Sequence, residues 1–195
     1  MPRWPEDSRA RLVDAAMSLF GEHGYGGTTV DEIAARAGVT ARTFFRHFAD
    51  KEEVLFADDD TLLPGLLASI TAAPGPIAAD ALMLHALTTL AEVMQPQRPA
   101  LVARQRIIDT EVSLTGRELA KQARWQQCVA ATLIARGFDP DEAEILSAIG
   151  FAIFVRALHA WLADADADRG GPDLVTRVRD TLPRARTVLD AVSTR

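Results

Sequence analysis

Cysteine is almost missing from this 195-residue chain. The single one, Cys128, cannot close an internal disulfide and excludes a cysteine-built zinc cluster. Aromatic residues are scarce, at 6% with one tyrosine, and no alternating Val/Ile/Thr run calls for a sheet. No uninterrupted apolar run approaches the roughly 18 residues of a spanning helix. The opening stretch, residues 1–14, is mixed and charged, without a leader-like apolar core. A soluble, cytoplasmic protein with no membrane partner is therefore expected. A positive excess is also lacking: 21 Lys+Arg face 27 Asp+Glu, a net charge of −6. That balance argues against coating nucleic acid through a general positive field. Catalytic and cofactor signatures are absent as well. There is no Ser/His/Asp order, phosphate loop or dinucleotide fingerprint, so neither an enzyme nor a cofactor is expected. Asp164-x-Asp166-x-Asp168 opens like a calcium loop. Arg169 stands where that loop needs glycine and Val175 where it needs its closing glutamate, so no metal is expected.

What remains is ordinary globular material, 48% hydrophobic and 25% charged. A chain of this length buries about 70% of its unfolded surface, enough for a real core. Charge is focused rather than spread. Residues 1–55 hold seven cations against nine acids, yet within 36–51 Arg36, Arg42, Arg46 and Lys51 face only Asp50.

The periodicity predicts helix nearly throughout, about nine helices in all. The first starts near Glu6, with Leu12, Ala15, Ala16, Leu19 and Phe20 at three- and four-residue spacing, and stops at Gly24. Thr29-x-x-Glu32 is a capping box for a short second helix ending at Gly38. Thr40 caps a short third helix through Phe48, and Asp50 a fourth that runs to about Ala72. Proline and glycine then set helices at about 77–94, 98–109, 112–136, 140–164 and 173–192, with Pro140 at a favoured first position.

Two short helices joined through a glycine turn and packed on a first amphipathic helix form a helix-turn-helix arrangement. Ala34, Ala35 and Ala37 allow close helix approach. Thr40, Ala41, Arg42 and Thr43 then occupy the start of a helix suited to the major groove. Phe44 and Phe48, four apart, anchor that helix inward, leaving Phe45, Arg46 and His47 to point elsewhere. Arg42 suits bidentate guanine contact, while Arg46, His47 and Lys51 suit phosphates. The same residues also fit a plain helical hairpin with good caps.

The run from Gly27 to Glu52, GTTVDEIAARAGVTARTFFRHFADKE, resembles the DNA-binding signature of the tetracycline-repressor (TetR) family. The resemblance covers about residues 8–56. It implies an all-α protein, with a helix-turn-helix DNA-binding domain at 1–52 and a helical ligand-binding and dimerisation domain at 53–195. Position by position, it implies DNA contacts at Thr29, Thr40, Ala41, Arg42, Thr43, Phe45, Arg46, His47 and Lys51. Phe45 stands where the family usually has tyrosine. The departure removes a phosphate-reaching hydroxyl and leaves an apolar or thymine-methyl contact.

The segment from Ile145 to Leu162 is apolar on nearly every face, which requires burial on all sides. One side can face the chain's own core, and the other needs a partner that a symmetric dimer supplies. The family resemblance implies the same homodimer, paired through 140–164 and 173–192 on a palindromic operator. It further implies a small-molecule effector held among Leu63, Leu67, Met83, Leu87, Met94, Arg104, Ile107, Ile108, Trp125, Cys128, Val129, Phe151, Phe154 and Val155. The Arg104–Ile108 and Trp125 segments, followed by the apolar helix from Pro140, are similar to the C-terminal domains of members that bind acyl-CoA-like ligands. The reading is a ligand-responsive repressor. Its alternative is a small-molecule sensor acting through a protein partner, supported by the net acidic residues 1–55 and the missing tyrosine at 45.

Overall fold

The computed structural model describes residues 6–193, and these are all-α. Nine α-helices are present among them: α1 (Glu6–His23), α2 (Val30–Arg36), α3 (Ala41–His47), α4 (Asp59–Ala72), α5 (Ala79–Met94), α6 (Arg98–Thr110), α7 (Val112–Ala135), α8 (Pro140–Ala163) and α9 (Leu174–Ser193). The chain packs as two compact units. The first joins the residues up to Asp60 with Ala100–Arg117; the second joins Thr61–Pro99 with the chain from Glu118 onward. This packing division is not the contiguous cut at 52/53, because a later stretch of chain returns to the first unit.

In the first unit, α1 packs on α2 and α3. The buried cluster includes Leu12, Phe20, Ile33, Phe44, Phe48, Val54 and Leu55, and takes in Ile107, Ile108 and Leu114 from the returning segment. The sequence expectation for the fourth helix fails at its start. No helix begins at Asp50; a turn and a short 3-10 helix, Glu53–Phe56, precede α4. Asp50 Oδ1 does accept the Glu53 N–H, at 2.7 Å. The next carbonyls are engaged by arginines, however: Leu55 O accepts Arg104 Nε, and Ala57 O accepts Arg9 Nη2 at 2.9 Å. Those oxygens are the acceptors that a continuous α-helix would need at this point.

In the second unit, α5, α8 and α9 pack on one another. Gly150 permits the approach of α5 and α8, since a Cβ there would lie 2.8 Å from the Met83 side chain. Asp139 caps α8 by accepting the Asp141 and Glu142 N–H groups at 3.0 and 3.2 Å. Arg98 closes its other end, donating Nη2 to Trp161 O and Asp164 O at 3.1 and 2.6 Å, with its guanidinium 5.5 Å from the buried Trp161 ring. Arg136 does the same for α4, donating Nη1 to Ile70 O, Thr71 O and Ala73 O. Orphan carbonyls at helix ends require such partners.

α8 is long and apolar enough to cross a membrane by length and composition, although Ser147, Arg156 and His159 interrupt its apolar run. Ala143, Ser147, Phe151, Phe154, Ala157 and Trp161 are buried within the unit. The opposite face, with Ile145, Ala148, Ile149 and Ala152, is exposed, Ile145 by 61%.

Candidate nucleic-acid interface

α2 and α3 have seven residues each. Isolated helices that short are unstable in water, so their ends and their packing must hold them. The capping box expected at α2 is present: Thr29 Oγ1 accepts the Glu32 N–H at 3.3 Å, and the Glu32 carboxylate accepts the Thr29 N–H at 2.8 Å. The Thr29 hydroxyl, donating to the Glu32 carboxylate at 2.8 Å, and then the Thr29 N–H hold the Glu32 pKa below its ordinary value. The helix ends in a paired-bond turn. Gly38, at φ +68°, donates to Ala35 O at 3.1 Å, and Val39 donates to Ala34 O at 2.9 Å. A left-handed residue is needed there, and glycine adopts that conformation without strain. Thr40 then caps α3, its Oγ1 accepting the Thr43 N–H at 3.2 Å.

Packing fixes which side of α3 faces outward. Phe44 and Phe48 are buried with ring centroids 5.6 Å apart. Arg42, Phe45 and Arg46, at helical i, i+3 and i+4 positions, are exposed together, Phe45 by 58%. Thr29 and Thr40 are exposed, and Ala41 and Thr43 are half-buried. His47 is half-buried with a buried, unpartnered Nε2. Burial, then the neighbouring Arg46 and Arg9 charges, lower its pKa from the ordinary imidazole value.

The focused charge of the 36–51 stretch is partly consumed internally. Arg36 makes a bidentate pair with Glu22 at 3.0 and 2.9 Å. Lys51 does not begin a long helix; its Nζ donates to Tyr25 O at 2.8 Å and Thr28 O at 3.0 Å, 4.2 Å from the Tyr25 ring centroid. Arg42 and Arg46 therefore remain as the exposed cations of the α3 face.

A polar hub surrounds Lys51 that periodicity does not reveal. Burial, followed by the Glu52 charge, pushes the Tyr25 pKa upward, so the phenol keeps its proton. Arg117 Nη1 pairs with both Asp50, at 2.7 Å, and Glu52, at 3.1 Å. Burial works to raise the Asp50 pKa, but the Arg117 and Glu53 hydrogen bonds outweigh it and lower it. Tyr25, Asp50, Glu52 and Arg117 were not among the sequence candidates. Among the four, the sequence marks Asp50 alone, as a helix cap.

This architecture has close parallels. The family profile described as "Bacterial regulatory proteins, tetR family" matches residues 12–57. The likeness to that family is carried by those residues, which take in α2 and α3. The HTH-type transcriptional regulator TcmR of Streptomyces glaucescens is 42% identical over 67 residues, 34% of this chain and 30% of that protein. The HTH-type transcriptional regulator SrpR of Pseudomonas putida is 44% identical over 52 residues, 27% of this chain and 24% of that protein. The chain thus spans less than a third of the length of such curated relatives. Solved structures extend the fold likeness across both units. The fatty acid degradation regulator FadR from Bacillus halodurans has a TM-score of 0.59 at 15% identity, over 93% of this chain and 94% of that one. Thermus thermophilus FadR, solved with lauroyl-CoA, has a TM-score of 0.56 at 23% identity, over 90% and 91%.

The effector candidates divide between the units. Arg104, Ile107 and Ile108 belong to the first, where the two isoleucines are core and Arg104 also lies 4.8 Å from the Phe56 ring. Arg104 is therefore engaged at Leu55 and Phe56 and is not a free ligand anchor. In the second unit Met83, Leu87, Met94, Trp125, Val129, Phe151 and Phe154 are buried, and Leu63, Leu67, Cys128 and Val155 are half-buried. Trp125 meets Phe151 edge-on, and its Nε1 is buried without a partner. Two open grooves of this unit are lined by other residues. One of about 630 Å³ lies between α8 and α9, at Ile149, Ala152, Arg156 and Thr181. One of about 440 Å³ lies between α7 and α8, at Gln126, Ala130, Ile134 and Ser147.

Proposed function

We propose that this protein is a DNA-binding transcriptional repressor that reads a palindromic operator as a homodimer and is released by an acyl-type effector. The supporting observation is the outward face of α3: Arg42, Phe45 and Arg46 lie exposed on a helix whose opposite side is locked by Phe44 and Phe48. Arg42 reads guanine, and Phe45 offers an apolar surface to a thymine methyl. Thr29, Thr40, Ala41 and Thr43 approach the backbone or base edges, and Arg46 sets the register on phosphates, with half-buried His47 and Lys51 beside it, the Lys51 ammonium already shared with Tyr25 O and Thr28 O. In this reading the functional division is 1–52 for DNA and 53–195 for ligand and dimer.

The exposed Ile145, Ala148, Ile149 and Ala152 of α8 favour a second copy as their cover, with α9 beside them. Arg156, on the exposed side of the same helix, disfavours a bilayer. The effector is proposed to lie among the buried apolar residues of the second unit. The unpartnered Trp125 Nε1 favours a ligand carrying a hydrogen-bond acceptor beside an apolar chain. Thioester and carboxylate oxygens meet that requirement, and lauroyl-CoA occupies the FadR of Thermus thermophilus. Effector binding shifts the population toward a state unsuited to DNA, which needs a preference of a few kcal/mol for that state.

Selection of bound duplexes from a random pool at fixed salt tests the reading. The expected result is an enriched palindrome, released by long-chain acyl-CoA and retained in the presence of coenzyme A alone. No enrichment overturns DNA reading and leaves the sensor acting through a protein partner. Enrichment without release overturns only the effector.

A further inference from the structure

The polar hub below α3 assigns a task to a residue far from it in sequence. Arg117 touches Asp50 and Glu52, which follow the recognition helix almost directly. Lys51, between the two carboxylates, donates to Tyr25 O and Thr28 O, with its Nζ 4.2 Å from the Tyr25 ring centroid. The three consecutive residues 50–52 therefore bond both to the turn entering α2 and to the returning helix.

We propose that Arg117 is a positioning residue for DNA reading. It contacts no base; it fixes the segment 50–52 and thereby the angle at which Arg42 and Phe45 are presented. The inference rests on the DNA-reading function proposed above. Two observations make positioning the better account than a generic surface pair. Isolated exposed pairs contribute little, but Arg117 bridges two carboxylates, and the pair is one edge of a network whose other members clamp backbone carbonyls. Moreover, α3 has only seven residues, so its direction depends on what holds its two ends.

Charge arguments alone predict a different outcome, which makes the proposal testable. By charge, Arg117→Gln weakens every duplex equally, and Asp50→Asn with Glu52→Gln tightens every duplex, because negative charge beside the phosphates is removed. Positioning predicts instead that both variants lose discrimination. The experiment measures affinity for the selected palindrome and for a scrambled duplex at one salt concentration, with the full chain and with melting followed in parallel. The ratio of the two affinities is expected to fall on the order of tenfold in Arg117→Gln and in the Asp50→Asn, Glu52→Gln double variant. The triple variant is expected to lose no more than either, since one set of bonds is being broken. Arg117→Lys should recover part of the ratio by keeping one ionic contact. An unchanged ratio in a folded Arg117→Gln, or additive losses in the triple variant, overturns the proposal. Should Arg117→Gln fail to fold, the double variant alone decides it: tighter binding to both duplexes with an unchanged ratio refutes positioning. A wild-type protein that enriches no duplex overturns the DNA reading and this inference together, whereas an enriched palindrome read equally by the variants overturns this inference alone.

Discussion

The two packing units use their arginines differently. In the first, Arg36 and Arg117 meet carboxylates across 14 and 65–67 residues of sequence, and Arg9 and Arg104 hold the carbonyls of the 3-10 segment. In the second, Arg98 and Arg136 close the C-terminal ends of long helices, while an apolar face of α8 stays open. Length explains the difference. A helix of seven residues buries too few side chains to fix its own direction, so polar ties complete the job. A helix of 24 residues is fixed by its buried stripe, and its unburied stripe is free for another task. Polar ties thus hold the short helices of one unit, and an apolar face is left over on a long helix of the other.

Core truncations test this contrast with the largest effects. Phe44→Ala in the first unit and Trp161→Ala in the second each remove a buried aromatic, and each should cost about 3–5 kcal/mol in chemical denaturation. A loss below 1 kcal/mol at Phe44 would mean that the polar ties, not the core, hold α3. Next in size is Arg42→Ala. It should lower the preference for the selected palindrome over scrambled duplex by about 1–3 kcal/mol, with melting unchanged. Equal losses on both duplexes would demote Arg42 to a phosphate contact. Thr29→Ala breaks the capping box and should cost about 1 kcal/mol in the same denaturation assay, against a negligible change for Thr71→Ala on the exposed end of α4.

The smallest effect lies in acid. The Arg36 hydrogen bond, then that of Ser18, hold the Glu22 pKa down from 4.5 to about 2. Its folded value is below its unfolded one, so the contribution is complete above about 4.5 and is lost as pH falls toward 2. Glu22→Gln should flatten that part of the acid-stability profile and leave neutral pH nearly unchanged. An identical acid limb in the variant would show that the pair adds nothing to folding.

Local signals in the sequence carried much of this fold. Thr29 and Glu32, Gly38, Thr40, and Asp139 with Pro140 each act within four residues, so spacing alone exposes them, and the helix ends they mark are found within a few residues of their expected places. The fourth helix was misplaced because Asp50 does form a cap-like bond, while the arginines that divert Leu55 O and Ala57 O lie about 50 residues away on either side. The same distance hid the partners of Lys51 and Arg117. It also made Arg104 look like a ligand anchor, since an arginine beside two isoleucines is indistinguishable in sequence from one facing a pocket.

The return of residues 100–117 bears on how such a head can be moved between proteins. A segment cut at residue 60 would carry α1, α2 and α3 but forfeit Ile107, Ile108 and Leu114 from its core and Arg117 from its hub. Transplanting α2 and α3 of this chain onto another scaffold therefore calls for two stretches of sequence. In evolutionary terms, α3 and the later segment share one core, so an exchange of one calls for a matching form of the other.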